Sequence, residues 1–313
     1  MNKNSKIFVA GHKGLVGSSL IRKLKELGYA NILTRSKEEL DLRNQEAVKS
    51  FFSENKPDYV FLCAAKVGGI GWNAQCPAEF IYDNLQIQNN VIHYSYVNGV
   101  TKLLFLGSAC IYPKITPQPI KEEYLMSAKL EPTNQSYALA KIAGMRMCQA
   151  YSKQYGFNAI SVMPANLYGP HDNFNVEQCH VIPALISKFE KAKTLNQDSV
   201  SCFGDGSPTR EFLHVDDLSD SCVYLMNNHN DPEHINIGSS SEVTIKELAN
   251  MIKETVGYIG NIKWDVNKPN GTPLRKLDTS KLDALGWKSS ISLETGLEET
   301  YNWYMENKEN CRR

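Results

Sequence analysis

Three glycines near the start of the sequence restrict what this chain can fold into. The stretch FVAGHKGLVGSSL places Gly11, Gly14 and Gly17 between a short apolar run and an amphipathic segment. At such a junction glycine lets the backbone turn tightly, lets a pyrophosphate approach a helix N-terminus, and lets the helix pack closely on the strand. A glycine-rich turn between two packed elements is the simpler interpretation, but the position directly after the first strand predicts a dinucleotide-binding loop. Its other residues are predicted to contact the same ligand: His12, Lys13, Leu15 and Val16.

Short apolar runs alternate with helical patterns through the first half of the chain. The runs KIFVAG, NILT, DYVFLCAA and KLLFLGS are separated by longer segments with helical periodicity. Parallel strands need crossover helices and are buried on both faces, so this order predicts βαβ units. A long helix over residues 136–155 and a strand in AISVMPANLYG continue the pattern. We therefore expect an α/β fold with a Rossmann-type doubly wound parallel sheet in residues 1–168.

The pattern changes beyond about Gly169. Helical segments there are joined by loops rich in Gly, Pro, Asn and Asp, such as GDGSPTR and NKPNGTP. Residues 169–313 are predicted to form mainly a smaller C-terminal α/β domain that binds substrate, with some segments returning to the Rossmann domain. Asp216 and Asp217 are expected to cap a helix that begins near Leu218.

The charge balance and the cysteines narrow the functional class. Basic and acidic side chains number 34 each, so bulk electrostatics attract neither nucleic acid nor an anionic membrane. No apolar stretch reaches the length of a signal-peptide core or a membrane span. The eight cysteines form no C-x-x-C pair, and Cys179, beside His180, has no third ligand at a metal-site spacing. We expect a cytoplasmic protein with free thiols and no metal.

The residues after the second predicted strand favour NADP(H) over NAD. A site for NAD usually has an acidic residue there to bind the ribose hydroxyls, whereas this chain has Arg35 and Lys37. With Lys13, these cations suit the additional phosphate of NADP. Alternatively, they are solvated loop charges, while Ser36 and Glu39 form a capping box for the next helix. Weaker candidates for the adenosine end are Asp41 and Leu42.

A serine, a tyrosine and a lysine suggest carbonyl reduction. FLGSACIYP delivers Ser108 and Cys110 at the carboxyl end of a buried strand, where open α/β sheets bind ligands. In SYALAK, Tyr137 and Lys141 share a helical face, so the ammonium is expected to lower the phenol pKa toward neutrality. Tyr-x-x-x-Lys alone occurs by chance in many helices. Together with the glycine loop and the serine it predicts a proton donor to a carbonyl.

These motifs resemble those of the extended short-chain dehydrogenase/reductase family. The resemblance runs from Lys6 to about Trp303 and is carried by AGHKGLVGS, AAKVGGI, LLFLGSACIYP, EPTNQSYALAKIAG, VMPANLYGPHDNF, HVIPAL, REFLHVDD and LGWKSSISLETGL. Within the family the chain is similar to members that act on GDP-linked 4-keto-6-deoxy sugars. The resemblance implies epimerisation at carbons 3 and 5 of the sugar, followed by NADPH-dependent reduction at carbon 4.

The resemblance also assigns roles to particular residues. It implies that Ser108, Tyr137 and Lys141 serve reduction, with Cys110 as the base and His180 as the acid of epimerisation. On the residues alone, a small buried Cys110 and a helix-start His180 are the commoner interpretations. Further implied cofactor contacts are Ala64, Ala65, Leu106, Lys141, Pro164, Asn166, Leu167 and His180. Implied substrate contacts are Ser108, Asn166, Lys188, Phe203, Arg210, Asn270 and Arg275.

The chain departs from the family pattern at two positions. Ala109 replaces the middle serine of SSC, which leaves Ser108 and Cys110 intact. Asn270 stands where the family has an aspartate placed for guanine, and an amide lacks the charge-assisted pairing of a carboxylate. Trp72 is expected on a loop over the site.

Two alternative functions remain open, and the resemblance also implies an assembly state. The substrate could be another GDP-4-keto-6-deoxy sugar such as a heptose, with or without epimerisation. The chain could instead be a non-catalytic NADP-binding sensor. The resemblance implies a homodimer through two long helices, EFIYDNLQIQNNVIHYSYVNG and residues 136–155, although their apolar residues could pack within one subunit.

Overall fold

The apolar runs of the first half form strands of one parallel sheet. A computed structural model describes residues 1–176, 178–268, 270–309 and 311. Its strands are β1 (Ile7–Ala10), β2 (Ile32–Leu33), β3 (Tyr59–Leu62), β4 (Lys102–Leu106), β5 (Ala159–Pro164), β6 (Asn166–Tyr168), β7 (Ser199–Phe203), β8 (Thr209–Arg210), β9 (Phe212–His214), β10 (Ile235–Ile237), β11 (Val243–Thr244), β12 (Asn261–Asp265) and β13 (Leu274–Arg275). Its helices are α1 (Leu15–Glu26), α2 (Gln45–Asn55), α3 (Ile70–Gln75), α4 (Pro77–Val97), α5 (Gln135–Tyr155), α6 (Val181–Thr194), α7 (Val215–Asn228), α8 (Ile245–Val256), α9 (Ser280–Ala284) and α10 (Leu293–Asn307).

The central sheet places the glycine loop at a topological switch point. Its parallel strands lie in the order β2–β1–β3–β4–β5–β10. The chain passes from β1 to β2 on one side and then returns to place β3 on the other side of β1. Ligands of open α/β sheets bind beyond the carboxyl ends of strands at such a reversal, and the glycine loop follows β1 directly. The predicted Rossmann-type doubly wound sheet is confirmed.

Two hydrophobic clusters underlie the two halves of the chain. The larger contains Phe8, Leu104 and Ile160 of the central sheet, and later residues such as Leu218 and Ile235 return to it. The smaller lies under the sheets β11–β8–β13 and β12–β7. Its members include Phe189, Phe212, Leu248 and Leu297. The boundary between residues 168 and 169 stays a prediction.

The predicted capping box of Ser36 and Glu39 does not begin a helix. Ser36 N donates to Glu39 Oε2 at 2.6 Å, and Glu39 N donates to Ser36 Oγ at 3.4 Å. These bonds close a turn, and α2 begins only at Gln45, where Asn44 caps it by accepting from Ala47 N. The expectation of a helix cap is therefore wrong. The spacing of a capping box can close a local turn as well as begin a helix.

The expected cap of the helix after β9 is also wrong. That helix, α7, begins at Val215, and His214 is its N-cap, with Asp216 and Asp217 in the first turn. The Asp217 carboxylate accepts from the backbone N–H of Ser290 at 3.1 Å. It therefore connects the start of α7 to the segment before α10.

Across the described residues, no helix combines the length and apolar character that a membrane span requires. All eight cysteines are free, as expected.

A buried lysine joins the central sheet to the end of α7. Lys102, at the start of β4, is 3% exposed. Its Nζ donates to the carbonyls of Leu225 at 3.0 Å and Met226 at 2.8 Å, and also to His229 O. Leu225 O also accepts from His229 N, whereas Met226 O lies at the helix end, where carbonyls lack intrahelical donors, so the ammonium satisfies that group and complements the helix dipole.

We predict that Lys102→Met destabilises the fold. Methionine fills a similar volume but leaves buried carbonyls at the end of α7 without a donor, so the free energy of unfolding should fall by about 1–3 kcal/mol. Denaturant unfolding followed by circular dichroism measures this change. Lys25→Met, at an exposed position of α1, is the matched control and should change little. Equal stability of the two variants would contradict the role of Lys102.

Candidate active site

The glycine loop, here called the glycine cradle, packs so tightly on the neighbouring backbone that Gly11 and Gly17 leave no room for a larger side chain. A Cβ on Gly11, which has φ +86°, would lie 2.8 Å from the backbone of Ala64, and one on Gly17 would lie 2.2 Å from Gly11 O. Gly14 is the N-cap of α1, and no side chain caps this helix end or places an acid in its first turn. The first N–H groups of α1 are therefore available to an anion, which is the arrangement a pyrophosphate requires.

Cationic residues gather beside this cradle. The pKa of His12 is lowered by burial and by the charge of Lys13, while a bond to the Arg35 backbone opposes the shift. Arg35 lies over the Phe51 ring, 5.6 Å from its centroid, and donates to Thr34 O at 2.8 Å. Lys13 and Lys37 are exposed.

Asp41 and Leu42 are engaged by neighbours on the chain. The Asp41 carboxylate is 2.7 Å from Arg43 Nη2, and the guanidinium holds the pKa of that carboxyl below its ordinary value. Leu42 O accepts from Asn90 Nδ2 at 2.9 Å. Asp41 therefore enters an ion pair, which the sequence expectation did not include.

The carboxyl edge of the sheet brings the serine, tyrosine and lysine together. Lys141, 3% exposed, donates from Nζ to Leu106 O at 2.8 Å and lies 5.8 Å from the centroid of the Tyr137 ring. Ser108 follows β4 and accepts from Cys110 N at 3.3 Å, and its side chain is close enough to Tyr137 and Cys110 to lower the pKa of each. The implied cofactor residues are at the same edge. Ala64 and Ala65 follow β3, Leu106 ends β4, Pro164 ends β5, and Asn166 and Leu167 are in β6.

Burial sets the protonation states of Tyr137 and Lys141. The pKa of Tyr137 is raised by burial and by the nearby Cys110, while the bond from Ser108 opposes the shift. Burial lowers the pKa of Lys141 to about 8. The expectation that the ammonium makes the phenol acidic is therefore wrong for the protein alone, because desolvation dominates and the ammonium is bound to Leu106. The phenol keeps its proton at neutral pH, as a proton donor must.

Cys110 and His180 belong to different parts of the fold. Cys110 lies in a 3-10 turn (Ala109–Ile111), where burial raises its pKa and Ser108, Arg275 and Lys141 oppose the shift. His180 is the N-cap of α6 and is exposed to solvent, and desolvation by the surrounding protein lowers its pKa. No contact between the two side chains is among those described.

Two arginines form a positively charged patch above the edge. Arg210 of β8 and Arg275 of β13 are register partners in adjacent parallel strands. Burial and the charge of Arg275 lower the pKa of Arg210 to about 10, and burial lowers that of Arg275. Among the described residues neither forms an ion pair with a carboxylate. Arg275 Nη2 donates to Ala109 O at 2.8 Å, so the patch touches the segment that holds Cys110.

An exposed aromatic ring marks a second region of the substrate half. Phe203 is 61% exposed, and Lys188 Nζ lies 4.8 Å and Lys268 Nζ 5.7 Å from its ring centroid. Asn270 Oδ1 accepts from Asp205 N at 3.1 Å. The amide oxygen of Asn270 is thus used within the protein, and its side chain also interacts with the Asp205 carboxylate. No described contact joins this region to Ser108, Tyr137 or Lys141.

Sequence reasoning missed Glu211, which organises the arginine patch. Its carboxylate is 99% buried and accepts from the backbone N–H groups of Ser240 and Leu277, each at 2.9 Å. Its carbonyl accepts from Asn166 Nδ2 at 3.0 Å. Glu211 therefore links the strand of Arg210 to the segment after Arg275. The signal was a glutamate beside the apolar pair FL in REFLHVDD, since a carboxylate in a buried run must find donors.

A group of three possible metal ligands lies at the junction of α7 and α10. Atoms of His214, Asp216 and Glu299 are within 4.8 Å of one another. The Asp216 carboxylate already accepts from Ser19 Oγ and pairs with Arg22. We assign it to the packing of α1 on α7 and give the group no metal role.

Comparison with known proteins places the chain in a family. The profile of the NAD dependent epimerase/dehydratase family matches residues 7–238, and the chain belongs to this family. It is 58% identical to GDP-L-fucose synthase 1 of Arabidopsis thaliana, covering 98% of this chain and 95% of that one. It is 47% identical to GDP-L-fucose synthase of Escherichia coli K12, covering 98% of each. The solved GDP-mannoheptose C4 reductase of Campylobacter jejuni with NADP bound superposes with a TM-score of 0.90 at 42% identity, covering 97% of this chain and 99% of that one. The expected membership is confirmed.

We predict that Lys141 titrates near pH 8 in the folded protein. Burial disfavours the ammonium, so the side chain should lose its proton well below the ordinary lysine value of 10.5. Carbon-13 nuclear magnetic resonance of the reductively methylated protein follows each lysine, and Lys141→Arg identifies the resonance by its loss. A Lys141 signal that titrates only near 10.5 would contradict the prediction.

Proposed function

We propose that this chain converts GDP-4-keto-6-deoxy-D-mannose to GDP-L-fucose by epimerising carbons 3 and 5 and then reducing carbon 4 with NADPH. The observation that carries the proposal is the position of Cys110. Its thiol lies beside Ser108 and Tyr137, within the influence of Lys141 and Arg275. A site that only reduced a ketone would not need this thiol. The similarity to proteins named GDP-L-fucose synthase, over nearly the whole chain, supports the choice of substrate.

The glycine cradle is the proposed site of NADPH. The N–H groups at the start of α1 would bind its pyrophosphate, and Lys13 and Arg35 would bind its additional phosphate. When bound, the cofactor supplies a hydride to carbon 4. A relative of 42% identity carries NADP in its solved structure, which supports the same cofactor here.

Epimerisation depends on stabilising an enolate. Protons on the carbons beside a ketone are acidic because the carbanion delocalises onto the ketone oxygen, and Ser108 and Tyr137 donate hydrogen bonds to that oxygen. Cys110 removes a proton as a thiolate, and His180 returns one to the opposite face as an imidazolium. Burial disfavours both charged forms, since it raises the Cys110 pKa and lowers the His180 pKa. The positive charges of Lys141 and Arg275 oppose burial at Cys110 and so favour its thiolate.

Reduction uses the same oxygen contacts. Tyr137 remains protonated until negative charge develops on the ketone oxygen, and it then donates its proton as the alkoxide forms. Ser108 holds the oxygen in place. Asn166, exposed at the carboxyl edge, lines the pocket.

The substrate half supplies the proposed nucleotide contacts. Arg210 and Arg275 have no carboxylate partner among the described residues, and their two charges match a diphosphate. Phe203 offers an exposed aromatic ring for guanine, and Lys188 Nζ lies over that ring at 4.8 Å from its centroid. Asn270 would donate to the guanine carbonyl through its NH2 group.

A cytoplasmic homodimer is part of the proposal. The helices α4 and α5 pack together, and α5 exposes the apolar residues Leu139, Ala143 and Ala150 at helical spacing. On α4, Tyr82 and Val97 are 60% and 55% exposed. Burying such a stripe against a second copy removes apolar surface from water. Eight free cysteines are in keeping with a reducing compartment.

We predict that the purified protein places deuterium at carbons 3 and 5. Incubation of GDP-4-keto-6-deoxy-D-mannose and NADPH in deuterated water should give labelled GDP-L-fucose, detected by mass spectrometry and nuclear magnetic resonance. Tyr137→Phe should bind NADPH normally while turnover falls about 10²- to 10⁴-fold, because it lacks the donated proton. Cys110→Ser should still oxidise NADPH but release a product that is not epimerised.

Other results would point to the alternatives. Reduction of this substrate without deuterium at either carbon would identify a plain 4-reductase. A clear preference for a GDP-4-keto-6-deoxy-heptose would identify the heptose enzyme, as the name of the Campylobacter jejuni relative suggests. NADPH binding without oxidation by any keto sugar nucleotide would favour the sensor.

We predict that Ala143→Arg yields a monomer. Arginine at the centre of the exposed stripe would place charge in the proposed contact between copies, so light scattering should report one chain mass instead of two. Ala284→Arg, at an exposed position of α9, is the matched control and should stay dimeric. A wild type that is already monomeric would refute the proposed assembly.

A further inference from the structure

The loop after β3 is held in place by one buried asparagine. Asn84 of α4 is 2% exposed. Its Oδ1 accepts from Lys66 N at 3.0 Å, and its Nδ2 donates to Lys66 O at 3.0 Å and to Phe80 O at 2.7 Å. The side-chain amide thus binds both backbone groups of Lys66 as a neighbouring strand would. Residues 64–69, here called the β3 loop, are anchored to α4 at this point.

The far end of the β3 loop touches the segment that leads to His180. Gly69 N donates to Gln178 O at 2.7 Å. A Cβ on Gly69 would lie 2.6 Å from Cys179 O, so this contact requires glycine. Asn73 Nδ2 supports the same end by donating to Gly69 O at 3.1 Å. Trp72, expected on a loop over the site, instead lies in α3 and packs against Gly68.

His180 directly follows the two residues that receive this contact. Ser108, Tyr137 and Lys141 are placed differently, by the end of β4 and by the bond from Lys141 to Leu106. The reducing group and His180 therefore depend on separate supports. α4 also contacts the helix of Tyr137 and Lys141, since Phe80 lies edge-on to Tyr137 at 6.3 Å between ring centroids and Gln88 Nε2 donates to Ala140 O at 2.6 Å.

We propose that Gly69 and Asn84 are positioning residues for epimerisation: through the β3 loop they set the distance of His180 from the sugar, and so control proton return but not hydride transfer. The inference rests on the proposed function. An enolate formed by Cys110 has two fates, since it gains a proton from His180 with inversion or regains one from Cys110 with retention. A displaced His180 favours retention, and the ketone is then reduced with its original configuration.

Gly69→Ala tests this directly. Gly69 has a φ of −64°, which alanine adopts without strain, so the substitution acts through the contact with Cys179 O. We expect the ratio of epimerised to non-epimerised reduced product to fall about ten- to a hundredfold, as a displacement of a catalytic group by about 1 Å produces. NADPH oxidation should stay within about twofold of wild type. Gly71→Ala is the matched control, because a Cβ there meets nothing within 4 Å.

Asn84→Asp provides a second variant if Gly69→Ala fails to fold. Aspartate keeps the acceptor for Lys66 N but loses the donor to Lys66 O, so the product ratio should shift in the same direction by a smaller factor. A parallel fall of both product types, or an unchanged ratio in both variants, would overturn the positioning role. The wild type is measured first in deuterated water. If it gives no labelled product, the proposed function fails before any variant is compared.

Discussion

The bond from the Lys141 ammonium to the Leu106 carbonyl joins the two elements that carry the reducing residues. A buried ammonium must find acceptor oxygens, so this contact locks α5 to the end of β4. Ser108 follows Leu106 by two residues, and Tyr137 precedes Lys141 by about one helical turn. Their meeting is therefore a consequence of one helix being fixed to one strand end. The same burial keeps the phenol protonated and brings the lysine pKa to about 8.

Burial has a different consequence at the arginine patch, where two charges are partly buried without a carboxylate partner among the described residues. Arg210 and Arg275 lie side by side, and each charge disfavours the other in a partly desolvated position. Glu211 is close along the chain, but its carboxylate is committed to backbone N–H groups and organises the strands. The unbalanced charge suits a dianionic diphosphate, which would relieve the repulsion on binding. Because Arg275 also donates to Ala109 O, the arginine patch is connected to the segment that holds Cys110.

The features that the sequence predicted best depend on local periodicity. The unbroken apolar runs became β3 and β4, and the glycine loop, the long helix α5 and the strand-end serine lie where expected. The errors have a different origin. Ser36 and Glu39 have the right spacing for a helix start, but that spacing also closes a turn. The helical relation of Tyr137 and Lys141 is visible in sequence, whereas the desolvation that decides their pKa values depends on residues from distant segments.

The role of the β3 loop also could not be interpreted from sequence, because it depends on distant segments and not on local periodicity. Its role depends on a contact between residues 69 and 178, which no local pattern encodes. Chemistry nevertheless requires a support of this kind. Under the proposed function, inversion needs a base and an acid on opposite faces of the sugar, with Cys110 serving one face and His180 of the C-terminal half the other. The segment before His180 contacts the Rossmann half at Gly69, and a Cβ at that position would lie 2.6 Å from Cys179 O, so a larger residue would displace the segment that the proposed mechanism depends on.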